Sequence, residues 1–431
     1  MQFKEGLVGS ILKVLKFLGL TFFCSACAHL QQDVFVDVES QLRAQQNEAA
    51  LASLEKLNRF YNNRALYELN RGMILHYMGN YQESISAFER AKKYIGILDP
   101  VSITESIAAY TLTEQLRSYK ATVYEKLFLH MYQIMNFLAI NQPDSARVEL
   151  MQVDLALKTL NQKGHYLASA AARYVSGLIF ESLNEHDNAL IAYRQAYQNY
   201  KQTDEAIPRD LRYRLVNLAH IVGLDDEAMR WQQEFDLPKQ NLNDSNSQLV
   251  IFYNVDFAPV KEQISESVID PSSGQWYRLS LPYYQRRNVQ NVYFEATISE
   301  QGTWLSDTLA DIESIAINDL EKQLPELTMR AISRNIARRA VTKEAEEEHE
   351  ILGGLVNIVG AIFDEADIRN WRTLPNNIQL SARHLLPGTY SISLKVLNER
   401  GVLIDRHTID DVVIEPNRTK FLSFSWFRPD G

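Results

Sequence analysis

The feature that most constrains this chain is a set of residues that occurs twice at one spacing. The first set is Gly72, Gly79, Ser84, Phe88 and Ala91, and the second is Gly177, Asn184, Ala189, Tyr193 and Ala196. Equivalent members lie 105 residues apart, about three times a 34-residue helical repeat. A small residue lets a partner helix approach, a Gly or Asn ends a helix, and a small-aromatic-small pattern packs the second helix. The pattern therefore predicts helical hairpins.

This spacing resembles the tetratricopeptide repeat (TPR) family. Apolar residues at three- and four-residue steps continue from about Glu39 to Phe235, so we predict an all-α, TPR-like solenoid over residues 39–236 with about five repeats. Weaker second-helix signals begin at Asn47, Asp144 and Asp225. The resemblance implies that protein partners bind in the concave groove of the array. The alternative is that the helices bind no partner and only hold two other parts of the protein at a fixed distance.

The only two cysteines, Cys24 and Cys27, follow an apolar run near the N-terminus. A CxxC redox or metal pair and an uncleaved anchor are possible readings, but an N-terminal lysine, an apolar stretch and small residues before Cys27 resemble a bacterial lipoprotein signal. We predict a signal peptide over residues 1–27, lipidation of Cys27, and a short tether over 28–38. Because Ala28 follows Cys27, the resemblance implies a lipid anchor in the outer membrane, on the periplasmic side.

The charge of the chain limits its partners. Its formal net charge is −10, and an acidic chain of this kind is a poor nucleic-acid binder. We therefore expect no nucleic-acid partner.

The second half of the chain changes from helical to alternating patterns. We predict a linker over residues 237–248 and a β-rich, antiparallel, sandwich-like domain over 249–431, so the fold class is α+β. A helical insertion is predicted at about 312–363, with Pro325 in a first turn and an apolar stripe that includes Met329 and Ile332. The apolar run 351–363 is too short to span a bilayer, and we expect it to be buried against the β domain.

The combination of these parts resembles an uncharacterised family of bacterial TPR-containing outer-membrane lipoproteins. The stretches that carry the resemblance are APVK at 258–261, ADIRNW at 366–371 and LPNNIQL at 374–380. The resemblance implies a location and an architecture but no chemistry. It also hints at a role beside envelope lipoproteins in peptidoglycan synthesis or curli-like export.

No catalytic or nucleotide-binding motif is found in the sequence, and the nine histidines are scattered. We therefore predict no catalytic residue, no metal site and no cofactor. Asp367, Arg369 and Trp371 form the most distinctive cluster outside the repeats, and Trp and Arg are enriched at binding hot spots. They are candidate docking residues. The alternative is that Trp371 packs the sandwich while Asp367 and Arg369 pair with each other.

The leading hypothesis is a non-enzymatic outer-membrane lipoprotein that acts as a periplasmic protein-protein interaction scaffold in cell-envelope assembly. A second hypothesis is a structural subunit of an envelope or export complex. A third is an unrecognised hydrolase of cell-wall or polysaccharide material, which requires a cleft with paired buried carboxylates.

Overall fold

The computed structural model describes residues 32–59, 61–96, 118–162, 164–203, 205–238, 247–269, 276–287, 289–348 and 365–429. Four predicted features lie wholly or mostly outside these residues. They are the signal peptide with Cys27, the first part of the tether, positions 239–246 of the linker, and the apolar run 351–363.

The first half of the described chain consists of five helical pairs, joined within each pair by short turns. The helices are α1 (32–43), α2 (Asn47–Leu54), α3 (Arg64–Tyr77), α4 (Tyr81–Tyr94), α5 (Val123–Ala139), α6 (Pro143–Gln162), α7 (Tyr166–Ser182), α8 (His186–Tyr200), α9 (Arg209–Ile221) and α10 (Asp225–Glu234). From α3 to α10 each helix contacts the next one along the chain. The predicted second-helix signals coincide with α2, α6 and α10.

The two repeated sets lie in α3 and α4 and in α7 and α8. A Cβ atom added at Gly72 would lie 2.6 Å from the ring of Phe88, and one at Gly177 would lie 2.2 Å from the ring of Tyr193. Only glycine permits these helices to approach so closely. The turns are alike as well, since Gly79 and Asn184 both adopt positive φ angles, of 76° and 59°, just after the first helix. The remaining members, Ser84, Ala91, Ala189 and Ala196, are buried in the second helices.

The tether is shorter than predicted, because α1 already begins by residue 32. Val34, Phe35, Val38 and Leu42 are buried along one side of this helix. They recur at steps that bring them to one face of a helix. Their burial in the main core explains why the chain is helical here.

The described residues of the second half form two four-stranded sheets and one separate hairpin. Its strands are β1 (Gln248–Val255), β2 (Val260–Ile269), β3 (Trp276–Gln285), β4 (Val292–Ile298), β5 (Gly302–Leu305), β6 (Asp307–Asp311), β7 (Asn377–His384), β8 (Gly388–Asn398), β9 (Leu403–Ile414) and β10 (Thr419–Trp426). The strand orders are β10-β1-β7-β6 and β5-β4-β8-β9, and β2 pairs with β3.

The prediction of an antiparallel domain is right for most strand pairs and wrong for one. β1 and β10 run parallel, with Gln248 opposite Thr419 and Val255 opposite Trp426. Almost the whole β-rich half separates these two strands in sequence, so no tight turn forces them to be antiparallel. The other pairings in both sheets and in the hairpin are antiparallel.

Strand β1 is buried along its whole length because both of its faces are covered. Leu249, Ile251 and Tyr253 point into the core between the two sheets. Val250 and Phe252 point the other way, into a core that they share with the helices. The molecule therefore has three layers, which are helices, the sheet that contains β1, and the second sheet. The two halves share one hydrophobic core.

The helical insertion is one long helix, α11 (Ile312–Glu348), as far as the structure describes it. It begins where the carboxylate of Asp311 accepts hydrogen bonds from the backbone N–H of Ser314 at 3.0 Å and from its hydroxyl at 2.7 Å. Pro325 consequently lies inside the helix and not in its first turn as predicted. The helix contacts β3, β6, β7 and α5. Met329 and Ile332, predicted to form part of an apolar stripe, are 63% and 42% exposed.

Candidate docking site

Residues 365–376, here called the inserted segment, contain no helix or strand and lead directly into β7. The segment contains all three candidate docking residues. It lies between the first helices of the early pairs and the first sheet, where its side chains contact α3, α4 and α5. Helices α3, α4 and α5 are therefore covered at this place by the protein's own chain.

Side chains of the helices hold the backbone of this segment. The N–H of Trp371 donates to Oε1 of Glu125 at 2.8 Å, and the N–H of Thr373 donates to Oδ1 of Asn70 at 3.0 Å. The hydroxyl of Tyr77 donates to the carbonyl oxygen of Thr373 at 2.7 Å. These hydrogen bonds satisfy backbone groups of the segment that no helix or strand pairs.

Trp371 anchors the segment among aromatic rings. It is fully buried, and its ring meets those of Phe88 and Tyr132 edge to face, with centroids 5.6 and 6.4 Å apart. Phe88 belongs to the repeated set that was recognised in the sequence. Trp371 thus packs against the helices, whereas the alternative considered above placed it within the sandwich.

Asp367 and Arg369 form an ion pair with each other, with Nε of Arg369 2.8 Å from Oδ1 of Asp367. Nη1 of Arg369 also reaches the carbonyl oxygen of Asn62 and Oδ1 of Asn63, both at 3.3 Å. Burial alone would raise the pKa of Asp367, but the guanidinium of Arg369 outweighs that effect and holds the pKa below its usual value. The pair joins the inserted segment to the loop before α3, so these candidate residues dock onto the chain itself.

A second cluster of charges ties α1 to the β-rich half. Both carboxylate oxygens of Glu39 accept from Arg287, at 2.7 and 2.8 Å, and Oε1 also accepts from Arg372 at 2.9 and 2.6 Å. Burial acts to raise the pKa of Glu39, yet the two guanidinium groups hold it below its usual value. Nearby, Arg43 pairs with Asp256 at 2.5 Å. Helix α1 is thus fixed to the sheet by charge as well as by packing.

His76 lies in a polar network between α3, α5 and β10. Its Nδ1 is 2.6 Å from Oδ1 of Asn136, and its Nε2 is 2.8 Å from Oγ of Ser423. The amide nitrogen of Asn136 donates to Ser84. Its oxygen is therefore free to accept the Nδ1–H of a neutral imidazole, while Ser423 donates to Nε2. Burial lowers the pKa of His76 to about 4.

We expect His76 to make the protein sensitive to acid. An unfolded histidine has a pKa near 6.5 and the folded one about 4, so the folded state binds fewer protons and stability falls as the pH drops between these values. A shift of this size corresponds to about 3 kcal/mol. Urea unfolding at pH 7 and pH 4 should show that His76→Gln removes most of this loss. His220→Gln, near the end of α9, controls for the loss of a histidine. Equal acid sensitivity of His76→Gln and the unmodified chain would show that His76 does not cause the loss of stability.

A polar cleft of about 360 Å³ opens beside the N-terminus of α11. Two of the carboxylates that line it, Asp311 and Glu313, already make contacts. Asp311 caps α11, and Glu313 accepts from Nη1 of Arg286 at 3.2 Å and from the backbone N–H of Arg287 at 2.9 Å. The carboxylates of Asp311 and Glu313 are thus both engaged in contacts within the protein, and they do not form a free acid/base pair.

The hairpin of β2 and β3 exposes apolar side chains on its outward face. One face of the hairpin packs toward α5 and α11, and Tyr284 there contacts the hydroxyl of Tyr124 at 3.2 Å. On the other face Ile264, Val268 and Tyr283 are 51%, 47% and 40% exposed. Within the described residues, β2 and β3 pair only with each other, so both outer edges lack a strand neighbour.

Sequence reasoning missed the partners of the buried tyrosines. Tyr124, Tyr132 and Tyr174 are fully buried, and their hydroxyls contact residues of other elements. Tyr132 donates to Oδ1 of Asn254 in β1 at 2.8 Å, and Tyr174 donates to Asp210. The large number of tyrosines in these helices is the sequence feature that could have predicted such contacts, because a buried hydroxyl requires a hydrogen-bond partner.

No protein-family model and no curated protein sequence matches the chain. Three similar solved structures each align with about half of it. The crystal structure of MamA protein has a TM-score of 0.32 and is 16% identical, and the match covers 50% of this chain and 100% of MamA. The apo form of RapI has a TM-score of 0.36 and is 12% identical, and the match covers 47% of this chain and 51% of RapI. BtubC from P. vanneervenii has a TM-score of 0.34 and is 13% identical, and the match covers 52% of this chain and 91% of BtubC. These TM-scores are too low to define the arrangement of the helices, which is defined by their own contacts.

The described residues contain neither a cluster of metal-ligating side chains nor a membrane-spanning helix. Among them, no group of three or more histidine, cysteine, aspartate or glutamate side chains is arranged to hold a metal ion. None of the described helices combines the length and the apolar character needed to cross a bilayer.

Proposed function

We propose that the protein is a non-enzymatic scaffold for protein-protein interaction in cell-envelope assembly, held at the periplasmic face of the outer membrane by lipid on Cys27. The lipid anchor and the location follow from the sequence around Cys27. The sequence of the helical half resembles the TPR pattern, and its two repeated sets make the same close helix contacts.

The observation that supports a binding function is the chemistry of the first helices. Asn70, Tyr77 and Glu125 hold the backbone of a turn at residues 371–374, and Phe88 and Tyr132 receive its tryptophan. In this chain the peptide that they hold is the inserted segment. The helical half thereby recognises the β-rich half, and a separate partner must bind elsewhere on the surface.

The hairpin of β2 and β3 is the surface that we assign to that partner. Its outward face carries the apolar side chains of Ile264 and Val268 in alternation with Glu262 and Glu266, and within the described residues neither edge is paired with another strand. An extended segment of a protein partner fits both features, because it adds main-chain hydrogen bonds along an edge and packs its alternate side chains on the face. The role is that of a tethered scaffold whose two halves act as one body.

The test is affinity capture of the full-length, palmitate-labelled chain from membranes. We expect Ile264→Glu to abolish capture of the partner, since it replaces the most exposed apolar side chain of this face by a third carboxylate beside Glu262 and Glu266. Val413→Glu, at a 51% exposed strand position of β9, should retain capture. Capture that survives Ile264→Glu would reject the hairpin as the docking surface. Palmitate label that persists in Cys27→Ala would reject the anchor.

A further inference from the structure

Helix α6 carries two rows of apolar side chains on different faces. Ala146, Leu150, Val153 and Leu157 are buried in the main core. A second row, Val148, Met151 and Leu155, is 59%, 64% and 59% exposed. The comparable outer helix α4 exposes Gln82, Glu83, Ser86 and Lys93 instead. An outer helix needs only one apolar face for its own packing, so the second row requires another explanation.

The exposed row has oppositely charged ends. Asp144 and Lys158 are exposed and continue the row at steps of four and three residues, and Met151 lies midway between them, seven residues from each. Alternating steps of four and three residues give the 3.5-residue period of a helix that pairs with another helix along a seam. We call Asp144, Val148, Met151, Leu155 and Lys158 the α6 seam.

We propose that the α6 seam pairs with the α6 seam of a second copy of this chain, antiparallel and symmetric about Met151. In this orientation Met151 meets its equivalent, Val148 lies near Leu155 of the other copy, and Asp144 lies opposite Lys158 at both ends. A parallel pairing would place Asp144 against Asp144 and Lys158 against Lys158. The seam is thus complementary to itself in one direction, and the antiparallel helix dipoles favour the same arrangement.

The size of the seam sets the strength of the dimer. Three apolar side chains form a small patch beside the roughly 800 Å² that each partner buries in a standard interface. We therefore expect a reversible dimer with a dissociation constant on the order of micromolar or weaker. Because two equivalent charge contacts close the ends, the dimer should also weaken as salt is added.

A charge exchange tests the pairing in full-length chain kept in mild detergent. Sedimentation equilibrium should show that Asp144→Lys and Lys158→Asp each weaken the dimer about tenfold, because both ends then bring like charges together. The double variant Asp144→Lys with Lys158→Asp should return close to the original affinity. Neither position is buried, so the fold should tolerate these changes.

Single cysteines test the direction of pairing, in a background in which Cys24→Ala and Cys27→Ala remove the natural thiols. Met151→Cys should form a disulfide-linked dimer on oxidation, because the two thiols meet at the symmetry axis. Val148→Cys alone should not, but a mixture of Val148→Cys and Leu155→Cys chains should cross-link to each other. Met229→Cys, at a 56% exposed position of α10, is the control.

Three results would overturn the proposal. The first is a chain that stays monomeric at high concentration, which would leave the seam to a different partner. The second is a dimer that neither charge variant weakens. The third is efficient self-linking of Val148→Cys, which would indicate a parallel pairing.

Discussion

Replacing Trp371 by alanine is expected to destabilise the whole molecule by about 3–5 kcal/mol, the usual cost of deleting a large buried aromatic side chain. Trp371 is fully buried where the inserted segment meets the helices. Its removal leaves a cavity bordered by Phe88 and Tyr132, which belong to different helical pairs. The loss should therefore reach both halves, because the residues around the cavity belong to the core that they share.

The free energy of unfolding in urea measures this effect, followed by helix and strand signals in parallel. In the unmodified chain and in Trp371→Ala, both signals should change in one transition, since the halves share a core. Tyr61→Ala is the control, because Tyr61 is 72% exposed. This substitution should change the free energy of unfolding by no more than about 0.5 kcal/mol. If Trp371→Ala unfolded only the β-rich half, or left stability unchanged, the shared core would not be the main stabilising contact.

Local patterns predicted the helical pairs of this chain well. The spacing of Gly72 to Phe88 and of Gly177 to Tyr193 is a property of a single hairpin, and the sequence displays it directly. The alternation in β4 likewise gives a strand with one buried face. In both cases neighbouring residues determine the structure, so a short window of sequence is sufficient.

Contacts between distant parts of the chain were harder to predict. The continuous apolar run of β1 indicates a strand covered on both faces, but it does not say that one cover is a layer of helices. The inserted segment has no periodicity, and its contacts join residues 246 and 303 positions apart. Asp367, Arg369 and Trp371 are distinctive by residue type. Nothing in the sequence around them indicates which residues of the distant helices they contact.

The same non-local contacts explain why the two halves are unsuited to separate study. Cutting the chain after Asp236 would expose Val250 and Phe252 on β1 and would leave the first helices without the inserted segment. Exposed apolar surface of this extent favours aggregation. Point variants on exposed positions are therefore the sharper way to separate a binding role of the helices from one of the hairpin.

Replacing Glu39 by glutamine is the second change with a large expected effect. Glu39 is the carboxylate that both Arg287 and Arg372 contact, and it is 8% exposed. The amide of glutamine keeps the shape but not the charge, so two buried guanidinium groups lose their counter-ion. Breaking a buried pair in this way costs about 3–5 kcal/mol, and the cost falls on the contact between α1 and the β-rich half.

Asp37→Asn is a matched control on the same helix. Asp37 pairs with Lys56 at 3.2 Å, but both side chains are about half exposed, and an exposed pair contributes about 1 kcal/mol or less. Equal losses in the two variants would contradict the importance of the buried cluster.

The pH dependence of Glu39→Gln gives a further readout with a defined sign. Because the pKa of Glu39 is lowered in the folded state, the charged carboxylate stabilises the fold above its unfolded pKa of about 4.5, and this contribution is lost as the pH falls through the folded value. The stability difference between the unmodified chain and Glu39→Gln should therefore be full at pH 7 and shrink below about pH 4.5. A difference that stayed constant down to pH 3 would mean that Glu39 acts through packing, with its charge contributing little.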